Sequence, residues 1–133
     1  MPISALADNI LAARADIDAS FLNGKIIGHV GDGNFHASYA VRPDSSEDIG
    51  EALRLYRGVV ERAIASGGTA SGEHGVGYTM LEYMEREHGA ALGLMRAIKQ
   101  SLDPQDIMNP GKLIPPSPAP QPAGLYQTGQ RTS

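Results

Sequence analysis

Gly28-His29-Val30-Gly31-Asp32-Gly33-Asn34-Phe35-His36 is the stretch whose reading decides the fold of this 133-residue chain. Asp-Gly is a dipeptide that a type I′ hairpin turn selects, because both loop residues need φ > 0. With Asp32-Gly33 as a two-residue loop, Gly31 falls opposite Asn34, Val30 opposite Phe35, and His29 opposite His36. The flanks, residues 25–30 and 35–41, read as the two strands. Directly opposed residues share a face, with Cβ atoms about 4.5–5.5 Å apart. Two imidazoles at that spacing can share one metal ion, or can be plain strand residues, one packed and one solvated. Asn34 and Ser38 fall on the histidine face, whereas Val30, Phe35, Ala37 and Tyr39 fall on the other. A polar face backed by an apolar one fits a site wall lying over a core.

A second cluster supplies an acid. Gly67-Gly-Thr-Ala-Ser-Gly-Glu-His-Gly-Val-Gly77 sets five glycines around Glu73 and His74. Glycine at that density lets the backbone approach a ligand closely. Glu73 could complete a His29/His36/Glu73 metal site and leave His74 free to move a proton; Glu73 and His74 can equally be a solvated loop pair. The loop lacks the Gly-Lys-Ser/Thr ending of a phosphate-binding P-loop. His88, the fourth histidine, precedes Gly89 at a helix end, where an imidazolium suits the dipole.

The length admits one domain with a real core. A net charge of −4 without a basic run argues against nucleic acid. No apolar run approaches the roughly 20 residues that span a bilayer, and the first residues lack the pattern of a signal peptide. Cysteine is absent, so the metal reading rests on histidine and carboxylate alone. A cytoplasmic location is the default expectation.

Leu6, Ile10, Ala13 and Ile17 carry a helical period over residues 3–19. Asn23-Gly24 ends it. Asp44 with Glu47 fits a capping box, and the following helix, residues 45–66, shows the stripe Ile49, Leu53, Tyr56, Val60 and Ile64. Two shorter helices span residues 78–87 and 90–102. From Pro115 the chain is proline-rich and reads as a disordered tail to residue 133. Two strands make an uncomfortable free-standing sheet, so the expectation is an α+β unit that is part of a larger domain.

Three stretches carry a resemblance: residues 28–36, Ser71-Gly-Glu-His-Gly-Val-Gly77 and Leu102-Asp-Pro-Gln-Asp-Ile-Met-Asn-Pro-Gly-Lys112. In order and in spacing they resemble the C-terminal region of FAD-linked oxidases. That family includes D-lactate dehydrogenases, the glycolate oxidase flavoprotein subunit and D-2-hydroxyglutarate dehydrogenases. The resemblance implies a cap domain over residues 1–114, ferredoxin-like in complete relatives, with a small antiparallel sheet packed by helices. It further implies an FAD-binding domain or subunit as partner, since no stretch here resembles one, so the 133 residues alone should be inactive. The chain then reads as a truncated reading frame or a remnant.

The roles that the resemblance implies follow residue by residue. His29, His36 and Glu73 would hold a divalent ion, zinc or manganese. His74 would be the base that takes the hydroxyl proton of a 2-hydroxy acid while hydride passes from its Cα to the flavin. Asn34 and Ser38 would contact substrate, and Asn109 and Lys112 would contact FAD. Two positions depart from the pattern. Many relatives carry lysine where this chain has Met80, and asparagine where it has Ser38. The two other readings are a non-catalytic metal-binding or interaction fragment and a metal-dependent hydrolase.

Overall fold

The computed structural model describes residues 1–115. Helix α1 spans Ile3–Asp18, strand β1 Gly24–His29, strand β2 Asn34–Tyr39, and helix α2 Ser46–Ala65. A short helix α3, Met84–His88, and a longer α4, Ala91–Leu102, follow the glycine-rich loop. The arrangement is α+β: four helices around one antiparallel strand pair. Apart from Pro115, the proline-rich tail lies outside the described residues.

Helices α1 and α2 pack together and cover one face of the hairpin. Asn9 donates to Ser66 Oγ at 3.0 Å, and Arg62 donates to Asp16 at 2.7 Å, so the two helices run antiparallel. Leu6, Ala13 and Ile17 of α1 are buried, with Leu22, Leu55, Val60 and Ala63. A separate small cluster of Val76, Met84 and Leu92 anchors the glycine-rich loop to α3 and α4. Gly89, at φ 48°, separates those two helices, as the His88-Gly89 break suggests.

The buried stripe of α2 differs from the expected one. Ile49 and Leu53 are 40% and 50% exposed, whereas Leu55 is 1% and Asp48 4% exposed. The buried residues of α2 are Asp48, Leu55, Val60 and Ala63, so Val60 of the apolar stripe stays inward while the N-terminal half of the stripe, Ile49 and Leu53, rotates out. The cap explains this rotation. Ser45, and not Asp44, is the N-cap; its hydroxyl accepts from Asp48 N at 3.2 Å. The Asp48 carboxylate then turns inward and accepts from Arg42 N at 3.0 Å and from Arg42 Nε at 2.9 Å. The Arg42 guanidinium holds the Asp48 carboxyl well below the usual aspartate range. A buried charge is tolerated when it is paired and hydrogen-bonded in this way.

The hairpin also departs from the simple reading. The loop has four residues, not two, and the register pairs His29 with Asn34 and Ile27 with His36. Residues 30–32 form one turn of 3₁₀ helix, closed by Gly33 N donating to Val30 O at 3.3 Å. A two-residue type I′ loop needs φ > 0 at both Asp32 and Gly33. The longer loop needs it only at Gly33, φ 67°, where no Cβ resists it. The register slips by two positions, and a slip of two preserves the face of every side chain. His29, Asn34, His36 and Ser38 therefore still share one face.

Candidate metal and substrate site

The outer face of the hairpin meets the glycine-rich loop at its turn end. His29 is the last residue of β1, and Asn34 and His36 open β2. Across the gap, Gly72–His74 form one 3₁₀ turn that begins at Gly72, φ 49°, and ends at Gly75, φ 73°. Two left-handed hinges so close together turn the loop back on the strands and deliver Glu73 and His74 side by side.

The three expected ligands converge. One nitrogen each of His29 and His36 and one carboxylate oxygen of Glu73 all lie within 4.8 Å of one another. Glu73 Oε1 is 3.3 Å from His36 Nε2, and Glu73 Oε2 is 3.9 Å from His29 Nε2. These approaches exceed the N–H···O hydrogen-bond range. Ligands about 2.1 Å from a tetrahedral ion stand roughly 3.4 Å apart, so small side-chain rotations suffice to close the set on one centre. A His/His/carboxylate set with open positions matches the donor chemistry of a catalytic divalent site.

His74 belongs to the same cluster. Its Nε2 is 3.7 Å from Glu73 Oε1, and its ring stands edge-on to that of His36, with centroids 5.6 Å apart. Adjacent residues usually aim apart; the tight turn here brings both to one spot. His74 is the most exposed of the four, with 77% of its side chain accessible.

Asn34 donates from Nδ2 to Glu73 Oε2 at 3.0 Å. Ser38 lies on the same strand face, exposed, two residues beyond His36. A cavity of about 410 Å³ opens beside the cluster between β2, α2 and the loop, lined by His36, Glu73 and His74 and also by Phe35, Val59 and Met80. The Tyr56 hydroxyl donates to Met80 Sδ at 2.7 Å in that wall.

Asn109 and Lys112 do not line this cavity. They sit on the segment after α4, which folds back along the loop: Leu113 N donates to Gly77 O at 3.4 Å, and the Lys112 ammonium lies 5.2 Å from the Tyr78 ring centroid. Asp103 shapes this segment by accepting from Ile107 N at 3.0 Å and Met108 N at 2.9 Å. Lys99 beside it holds the Asp103 carboxyl below its ordinary range. Asn109, at φ 50°, makes the turn that the Asn-Pro-Gly sequence announces.

One anchoring residue escapes the sequence reading. Glu87 Oε2 accepts from Ala70 N at 2.8 Å and so fastens the glycine-rich loop to α3. No spacing or propensity at Glu87 announces this contact in the sequence.

Comparison with known proteins agrees with this architecture. The chain is 49% identical over 117 residues to a mitochondrial D-lactate dehydrogenase (cytochrome) of Arabidopsis thaliana, covering 87% of this chain and 21% of that protein. It is 34% identical over 109 residues to glycolate oxidase subunit GlcD of Bacillus subtilis, covering 81% of the chain and 22% of the relative. It is 39% identical over 91 residues to the D-2-hydroxyglutarate dehydrogenase of Stutzerimonas stutzeri, covering 65% and 19%. The chain thus spans about a fifth of the length of these curated relatives. Residues 1–113 match the model for FAD linked oxidases, C-terminal domain, and the chain belongs to that family.

Proposed function

We propose that this segment is the substrate-side wall of an FAD-dependent dehydrogenase that oxidises a 2-hydroxy acid of the D-lactate, glycolate or D-2-hydroxyglutarate type. The observation that carries the reading is the convergence of His29, His36 and Glu73 from two separate stretches. A divalent cation, zinc or manganese, bound to these three would polarise the hydroxyl and carboxylate of such an acid. FAD, held mainly by residues other than these, would accept the hydride from Cα.

The residues of this chain do the rest. His74 takes the hydroxyl proton at Nε2, which stands 3.7 Å from Glu73 Oε1. Ser38 offers a hydroxyl to the substrate carboxylate from the same strand face. Asn109 and Lys112 reach the cofactor's edge. Large apolar side chains such as Phe21, Ile27, Leu94 and Leu102 are more than half exposed, which supports a segment that packs against further protein, with the FAD-binding region as the natural partner.

The test is flavin reduction. With FAD supplied, on the same polypeptide or on an added FAD-binding subunit, D-lactate, glycolate or D-2-hydroxyglutarate should bleach the flavin absorbance, and chelation should abolish the bleaching. Bleaching insensitive to exhaustive chelation would remove the metal from the proposal. No bleaching by any 2-hydroxy acid would remove the substrate class.

A further inference from the structure

We infer that Asn34 is a positioning residue for Glu73, and not the substrate contact expected of it. The inference rests on the metal reading above. Asn34 pairs directly with His29 and stands two residues before His36, so its side chain shares the face of both imidazoles. From there Nδ2 donates to Glu73 Oε2 at 3.0 Å, within hydrogen-bond range. Oδ1 lies along the loop beside Gly72, where a Cβ would meet it at 3.8 Å.

Glu73 needs such a tether. It sits on a single 3₁₀ turn between two left-handed glycines, 48% of its side chain is accessible, and among the described residues Asn34 is the one hydrogen-bond donor to its carboxylate. An unheld carboxylate on that turn has several rotamers, and ordering it on ion binding costs side-chain entropy. Asn34 removes that cost in advance. An amide donor suits the task. It carries no charge to compete with the ion, and its nitrogen has no lone pair to offer as a ligand. It occupies Oε2 and leaves Oε1 beside His36 Nε2, so Glu73 is presented through one oxygen. Ligating carboxylates are commonly held by such outer partners.

Zinc titration of the metal-free chain against a competing chelator tests this. Asn34→Ala and Asn34→Leu should both weaken zinc by about 10–100-fold, with far-ultraviolet circular dichroism unchanged. Leucine keeps the volume and loses the donor, so wild-type affinity in Asn34→Leu would overturn the inference. A second readout needs no metal: the Asn34 side-chain amide protons should shift in the nitrogen-15 spectrum of the apo chain on Glu73→Ala. If the parent chain takes up no zinc, the metal reading fails on its own, and the amide spectrum still decides the Asn34–Glu73 link. Unchanged Asn34 resonances in Glu73→Ala would sink it.

Discussion

His29 and His36 stand diagonally across the hairpin, two register positions apart, with ring centroids 5.9 Å apart and planes at 87°. The diagonal leaves room for Asn34 opposite His29 and turns the two Nε2 atoms toward the space that Glu73 fills. The two histidines are unequal. His36 sits inside the strand pair with 31% of its side chain accessible and 3.3 Å from Glu73; His29 is at the strand end, 62% accessible and 3.9 Å away.

This inequality sets an order for ligand loss. His36→Ala should empty the site, with a loss exceeding the roughly 10–100-fold that removal of an outer partner causes. His29→Ala should bind more weakly than the parent yet still load at high metal concentration. Metal content after dialysis, measured on both variants, checks the order; equal losses would mean that burial does not rank the two ligands.

The site was more legible in the sequence than the packing beneath it. The face shared by His29 and His36 is fixed by parity, and it survived a wrong turn type because the register moved by two. The α2 stripe had no such protection. Ile49 and Leu53 advertise a core face, and counting apolar residues cannot see that Asp48, satisfied by Arg42 and Ser45, turns inward in their place. The Ala70–Glu87 anchor is likewise invisible to spacing, since it joins two elements that only the fold brings together.

The cap of α2 gives a pH-dependent prediction. Asp48 has its folded pKa lowered from 3.8 by the Arg42 guanidinium and backbone N–H. A lowered pKa contributes stability that is complete above the unfolded value and lost as pH falls toward the folded one. The stability gap between the parent and Asp48→Asn should therefore hold steady from about pH 8 to 5 and narrow below about pH 4. Ser45→Ala, which removes the cap hydroxyl, should cost about 1 kcal/mol at neutral pH. Urea unfolding across that range checks both. A gap that widened in acid would contradict the Arg42–Asp48 assignment.

Leu55 tests the packing independently of the site. It is 1% exposed, on the inward face of α2, and Leu55→Ala should lose about 2–5 kcal/mol of stability. Leu53→Ala, at a position 50% exposed, should lose far less. Denaturant midpoints of the two variants decide between the observed helix face and the one that apolar counting suggests. Metal loading well below the unfolding midpoint should be unaffected in both, because the ligand cluster lies on the opposite face of the hairpin.

His74 separates chemistry from metal binding. It lies against Glu73 and His36 but outside the group of three that converges, so His74→Ala should leave metal content close to that of the parent. Proton transfer by a positioned base typically contributes 10²–10⁴-fold. Turnover of a 2-hydroxy acid by the FAD-loaded protein should therefore fall by about two to four orders of magnitude. Metal analysis and turnover must be read on the same preparation. Should His74→Ala release the metal while keeping turnover per bound ion, His74 would be a fourth ligand. The proton would then have to leave through a different group.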